Sequence, residues 1–283
     1  MKKIINAFRQ IYNFASLAIN SNYKFGEKFQ IFGVLLSTYL GSKFSKNNGE
    51  VTKKVLDYKV TAYDHDTLLY LIIEIFLSTD YYFDIETDSP KIIDCGANIG
   101  MSILFFKKLY PDCSIMAFEP NPYAFELLEK NVRQNNLKNV ELHNVGLSND
   151  IGEIDFFIND HKGSLQGSFN KERGGENKIV VKTQKLSELI LDNHFDLIKI
   201  DIEGAEIQVI EDLFSKEKID HFNRYKIEYH HKIGGEKSHL SSFIQQFEKN
   251  NFEYNIRTNF SKIGEFQDIL LDVYKNRKIS KMV

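Results

Sequence analysis

Long apolar runs are missing from this 283-residue chain: it has no stretch of eighteen or more apolar residues, so no segment suits a membrane-spanning helix. Cysteine is nearly absent. Cys95 and Cys113 are too few for a disulfide framework and fit a reducing compartment, so a cytoplasmic setting is expected. Neither sign of charge is in excess, with 36 Lys+Arg against 39 Asp+Glu and a net −3. A chain built to coat nucleic acid would be strongly basic, and nucleic acid is not an expected partner. The start, Met1-Lys2-Lys3-Ile4-Ile5-Asn6, has basic residues but no clean apolar core or small-residue cleavage site, so export is not expected. What is present is ordinary for a folded globular protein: 42% apolar and 27% charged residues. A chain of this length buries about three quarters of its surface without help from disulfides or metals.

The small net charge hides a split. Residues 1–50 carry Lys2, Lys3, Arg9, Lys24, Lys28, Lys43 and Lys46 against Glu27 and Glu50, a balance of +5 that leaves −8 on the remainder. Ile4, Phe8, Ile11, Ala15 and Ile19 recur at helical spacing, and residues 31–36 form a second apolar stretch. Residues 1–55 therefore read as an N-terminal helical extension. Its apolar side has two destinations: packing on the main domain or on a second subunit in a homodimer, or peripheral contact with an anionic membrane.

Residues 56–283 read as one domain in which strands and helices alternate. Strands are predicted at 56–63, 91–95, 114–118, 140–145, 178–182, 196–202, 225–229, 252–258 and 269–274. Helices are predicted at 68–77 (capped by Asp66 or Thr67), 101–109, 122–135, 186–191, to about 214, and 240–249. This rhythm predicts a doubly wound α/β fold with a mostly parallel sheet. The last two strands have no helix between them and should form an antiparallel edge hairpin. Another hairpin is expected around 152–157. The polar stretch 159–177, with four glycines, reads as either a mobile lid or a plain surface loop.

In such sheets ligands bind beyond the carboxyl ends of the strands. The first strand of the repeating part ends Asp94-Cys95-Gly96-Ala97-Asn98-Ile99-Gly100, and its glycines allow a tight turn and close backbone approach. The second strand ends in Glu119, nineteen residues after Gly100, where a carboxylate can accept both hydroxyls of a ribose. Asn98 replaces the glycine that a pyrophosphate would need, and Asp94 would repel a pyrophosphate but welcome a cationic amine. The pattern points to S-adenosylmethionine (SAM) rather than a dinucleotide. Cys95 reads as a packing residue.

Three blocks now make a resemblance specific. Residues 94–100, Phe118-Glu119-Pro120-Asn121-Pro122 and Lys199-Ile200-Asp201-Ile202-Glu203-Gly204-Ala205-Glu206 resemble, in order and separation, the signature blocks of the FkbM family of SAM-dependent methyltransferases. The resemblance covers residues 58–275. It implies a Rossmann-like class I methyltransferase fold with a seven-stranded sheet, and methyl transfer to a hydroxyl of a small-molecule or carbohydrate acceptor. A sugar of a surface polysaccharide or its nucleotide-sugar precursor is expected; O- or N-methylation of a polyketide or peptide natural product is the alternative. Carried over, Asp94, Gly96, Ala97, Asn98 and Gly100 would line the methionine and ribose part of SAM. Glu119 and Pro120 would hold the ribose side, Asn121 would contact the ribose or adenine, and Gly146 and Leu147 would flank adenine.

An alcohol nucleophile must lose its proton, which calls for a general base or a metal ion. Asp201, at the end of the strand beside the cofactor strand, is the first candidate to meet the acceptor hydroxyl. Glu203 and Glu206 stand at the start of the next helix, where capping would also explain them. Lys199, in a central strand, requires an acidic partner. Glu228 and His230 alternate onto one side of their strand and should share the cleft. They could supply a base, bind sugar hydroxyls or, with Asp201, hold Mg²⁺ or Mn²⁺. His231 should point the other way, toward the surface.

Overall fold

The structure is a computed structural model that describes residues 2–45, 49–78, 80–159, 167–235, 237–258 and 266–275. Residues 160–166, the middle of the stretch expected to be a lid or loop, lie outside the described residues. In chain order the elements are helices α1 (Lys2–Asn20) and α2 (Phe25–Phe44), strands β1 (Val51–Val55) and β2 (Tyr58–Ala62), helix α3 (His65–Leu71) continued by a π-helical stretch Ile72–Leu77, then β3 (Lys91–Cys95), α4 (Met101–Leu109), β4 (Ser114–Phe118) and α5 (Pro122–Gln134). There follow β5 (Val140–His143), β6 (Gly146–Leu147), β7 (Gly152–Ile158), α6 (Lys171–Gly174), β8 (Asn177–Gln184), α7 (Leu186–Leu189), β9 (Leu197–Ile200) and α8 (Glu206–Ser215). The chain closes with β10 (Arg224–His231), α9 (Leu240–Glu248), β11 (Phe252–Thr258) and β12 (Gln267–Lys275).

The main sheet has seven strands in the order β11-β12-β10-β9-β3-β4-β5. All neighbours are parallel except β12, which runs antiparallel to both β10 and β11. The expected edge hairpin is therefore present, with its second strand one place inside the edge. The chain leaves β3 toward β4 and β5 on one side and returns to β9 and β10 on the other. The switch point falls between β3 and β9, so a ligand crevice opens above their carboxyl ends. The hairpin expected around 152–157 is instead one strand, β7, which pairs with the distant β8, and β6 joins them in a separate three-stranded sheet.

Local chemistry explains these elements. The centres of β3 and β9 are buried on both faces, so they read as short apolar runs, broken by Asp94 in β3 and by Lys199 in β9. Asn121 caps α5 by accepting from Tyr123 N, and Pro122 occupies the first turn, where its missing N–H costs nothing. Ala124, Leu127, Leu128 and Asn131 make the buried face of that helix. Asp64, not Asp66 or Thr67, caps α3: its carboxylate accepts from Thr67 N at 2.7 Å. The strand predicted at 56–63 is the second arm of a β1–β2 hairpin turned at Leu56 and Asp57.

The helices of residues 1–50 form as their spacing predicts, but the expected stripe on α1 is not its buried face. Phe14 and Ala18 are buried, whereas Phe8 and Ile19 are exposed. Phe14, Ala18, Ile31, Val34 and Leu35 share one core with Ile92, Ile103 and Ile115 of the main domain. Tyr23 donates to Phe76 O, and Lys108 pairs with Glu27. Among the described residues no helix is long and apolar enough to cross a membrane.

Candidate active site

The glycine turn after β3 is shaped by what crosses it. Gly96 has φ +81° and Gly100 φ +88°, both left-handed, and a Cβ on Gly96 would collide with the Asp201 carbonyl. A Cβ on Gly100 would meet Leu128 Cδ1 at 2.7 Å. Asn98 is also left-handed, at φ +49°, a conformation asparagine tolerates. Asn131, buried on α5, donates to Ile99 O and to Thr61 O, tying the turn to β2.

Glu119 reaches back over this turn. One carboxylate oxygen accepts from Asn98 N and the other from Asn121 N, each at 2.8 Å. Burial pushes the carboxyl up to about 7, against the pull of those two amides. Asn121 itself is buried as the α5 cap, and Asn144 donates to Glu119 O. Asp94 is fully buried and does not line the cleft: Ser102 Oγ donates to it, and Lys199 Nζ lies 3.4 Å away. It braces the floor of the turn from beneath.

Lys199 finds its acidic partners in Asp94 and Asp201, each at 3.4 Å, and also donates to Gly96 O at 2.6 Å. One buried ammonium thus joins the first and third signature blocks. Asp201 additionally accepts from Tyr81 OH at 3.1 Å. Burial alone would raise its pKa, but Lys199, His230 and Tyr81 hold it below the ordinary carboxylate range. It stays ionised, which makes it a poor proton acceptor.

Glu203 sits in a left-handed turn with Gly204, at φ +55° and +111°. Its carboxylate pairs with Arg173 Nε and lies 3.1 Å from His230 Nε2. Ser168 Oγ donates to its carbonyl. Glu206 is buried; it accepts from Gly204 N and holds His230 Nδ1 at 2.9 Å. Burial disfavours the His230 imidazolium, but Glu206 and Glu203 overcome it and hold the pKa well above the ordinary range. An imidazolium with carboxylates at both nitrogens is not a base at neutral pH. Glu228 lines the cleft, where burial and the nearby Asp201 raise its carboxyl, whereas His230, expected to share that wall, is not among the lining residues. His231 lies half-buried beside Tyr229 rather than at the open surface.

Two pockets meet here. One is lined by Glu119, Pro120, Asn121, Gly146, Leu147 and Phe169; the other by Tyr70, Glu74, Arg173, Lys199, Glu228 and Asp268. Gly96, Asn98, Asp201 and Glu203 belong to both walls. Ala97 lines the second pocket.

Sequence reasoning passed over Glu74, Arg173, Asp268 and Tyr81. Glu74 is the one acid in the apolar run 72–77, and that isolation was its only signal. It sits in the π-helical stretch, a feature often found at functional sites, and accepts from Tyr70 OH at 2.9 Å. Burial pushes its carboxyl up to about 7. Arg173 stacks over Phe266 at 4.6 Å, and Asp268 stands opposite His230 in the β10–β12 register.

This sheet order, with one reversed strand and an acid-tipped strand beside a glycine turn, defines a class I methyltransferase fold. The chain belongs to the methyltransferase FkbM family, whose domain matches residues 94–254. It is 32% identical over 171 residues to Methyltransferase sdnD of Sordaria araneosa, covering 48% of this chain and 65% of that protein. It is 31% identical over 144 residues to 2-O-methyltransferase NoeI of Sinorhizobium fredii (strain NBRC 101917 / NGR234), covering 44% and 58%. These matches span less than two thirds of either relative. Among solved structures, methyltransferase FkbM from Methylobacillus flagellatus KT aligns with a TM-score of 0.47 at 15% identity, over 95% of this chain and 60% of that one.

Proposed function

We propose that the chain transfers a methyl group from SAM to a hydroxyl of a carbohydrate acceptor, a sugar of a surface polysaccharide or its precursor. The observation that carries this reading is the meeting of two pockets at Gly96, Asn98, Asp201 and Glu203. The first pocket suits SAM: the Gly96 turn on one wall, a carboxylate at Glu119 for ribose hydroxyls, and Gly146 and Leu147 on the adenine side. SAM supplies a methyl carbon on a sulfonium, whose departure as a neutral thioether favours transfer.

The second pocket holds the acceptor. Glu74, Asp201, Glu203, Glu228 and Asp268 face it, acceptors suited to several hydroxyls and ill suited to an apolar polyketide. Alignment of the two partners supplies much of the rate. Glu74 takes the hydroxyl proton, because its carboxyl titrates near neutrality, where a general base works best. Asp201, held by Lys199 and Tyr81, orients the hydroxyl. An oxygen acceptor is further supported by the NoeI relative, named for 2-O-methylation. A screen of polyhydroxylated, amine and apolar acceptors with methyl-labelled SAM tests this. Labelling of sugars supports the reading; labelling confined to amines contradicts it.

The N-terminal helices carry a separate reading, contact with an anionic lipid surface. Phe8, Tyr12 and Ile19 on α1 and Phe25, Phe29 and Phe44 on α2 are exposed. Arg9, Lys24 and Lys43 stand among them, also exposed. A second copy docking by this face would bring like charges together, whereas anionic headgroups complement them. Phosphatidylglycerol-containing vesicles should retain the protein, and pure phosphatidylcholine should not. Phe25→Ser with Phe29→Ser should release it. A stable dimer with no vesicle binding overturns the reading.

A further inference from the structure

We propose that Glu228, His230 and Asp268 form a binding site for a divalent cation at the edge of the acceptor pocket. The two strands bring them together. Glu228 and His230 lie two residues apart on β10, hence on one face, and the antiparallel register sets Asp268 of β12 directly opposite His230. One ligand atom from each lies within 4.8 Å of the others, and His230 Nε2 is 4.0 Å from Asp268 Oδ1.

Neither His230 Nε2 nor Asp268 Oδ1 makes a hydrogen bond within the protein, and a bound cation would take the place of the Nε2 proton that Glu203, 3.1 Å away, favours in its absence. His230 is only 5% exposed, and its Nε2 is buried, with the Glu203 carboxylate as an ion-pair neighbour. Asp268 Oδ1 is likewise buried and without a hydrogen bond. The other ring nitrogen is held by Glu206 at 2.9 Å. A carboxylate on one imidazole nitrogen is the usual device that orients a metal-binding histidine and presents the other nitrogen to the ion.

Charge supports the same conclusion. Five carboxylates line the pocket against the cations Lys199 and Arg173. Asp201, expected from the sequence to be a ligand with Glu228, has its Oδ2 held by Tyr81 and Lys199 and is left out of the set. One imidazole with two carboxylates suits Mn²⁺ or Mg²⁺, with water or ligand oxygens completing the shell. Glu228 and Asp268 both face the acceptor pocket, so adjacent sugar hydroxyls would complete the cation's shell. That last step rests on the acceptor reading above; the binding of the ion does not.

The test is titration of MnCl₂ alone into the full chain, without SAM, followed by loss of the free-Mn²⁺ electron paramagnetic resonance signal. One saturable site per chain is expected, weakened at least tenfold in Asp268→Asn and in Glu228→Gln. Asp268 is near the surface, so its variant carries the test even if His230→Gln does not fold. Absence of a saturable site, or wild-type affinity in both Asp268→Asn and Glu228→Gln, overturns the proposal. Parallel calorimetry with SAM separates the two readings. A protein that takes SAM but no Mn²⁺ sinks only the cation site, and one that takes Mn²⁺ but no SAM sinks only the cofactor site.

Discussion

Gly96 lies so close to Asp201 that a Cβ there would stand 1.8 Å from the Asp201 carbonyl oxygen. The first and third signature blocks thus cross at contact distance, and the crossing is where the two pockets join. Gly96→Ala should cost on the order of 3 kcal/mol, from a left-handed alanine and the clash combined. Gly33, in the middle of α2 with nothing within 4 Å of its Cβ position, is the control. Gly33→Ala should instead stabilise by about 0.5–1 kcal/mol. Urea denaturation of the two variants checks both signs.

Lys199 holds that crossing from below, between Asp94 and Asp201. Lys199→Met would leave two carboxylates without their buried cation, at a cost of about 3–5 kcal/mol. Adding Asp94→Asn should recover part of the loss, and a double-mutant cycle by thermal melting measures how much. A cost that is simply additive would show that Asp94 and Lys199 are not coupled.

Glu74 sets a pH limb. Its carboxyl is raised to about 7, so it is protonated and unable to accept a proton below that pH. The rate should therefore rise through about pH 7 and level off above it. Tyr70 donates to the ionised form and lowers the pKa. Tyr70→Phe should move the limb to higher pH, and Glu74→Gln should lower kcat about 100-fold with little change in acceptor KM. A pH–rate profile unchanged in Tyr70→Phe would speak against this role.

Much of the Glu119 pocket was legible because its residues lie at the tips of sequence-adjacent strands. β3 and β4 are consecutive and parallel, so a turn motif and an acid nineteen residues on already imply neighbours. β9 sits beside β3 in every sheet of this order, which made Asp201 legible too. The second pocket was less so. Asp268 reaches His230 only because β12 inserts between β10 and β11, and Glu74 depends on a π-helical stretch that apolar periodicity reads as ordinary helix. Asp94 looked like a ligand contact because its position in the motif says nothing about Ser102 and Lys199 closing over it. On α1, periodicity found the helix but not which of two apolar faces the core would take.

Cofactor binding should itself be linked to protons. Glu119 is raised to about 7 by burial, and ribose hydroxyls donating to it would favour its ionised form. Affinity should thus rise as pH goes from 6 to 8, with proton release that fades above pH 8. Without cofactor the same raised pKa has the opposite effect on folding. Glu119 favours the folded state fully below its ordinary carboxylate range, and that contribution is lost as pH rises through about 7.

The most direct measurement is calorimetric titration of SAM into the wild-type chain and Glu119→Ala, at pH 6 and pH 8. Saturable binding that is tighter at pH 8 and lost in Glu119→Ala is predicted. Equal binding by the folded Glu119→Ala variant, or no binding by the wild type, would contradict the assignment of this site.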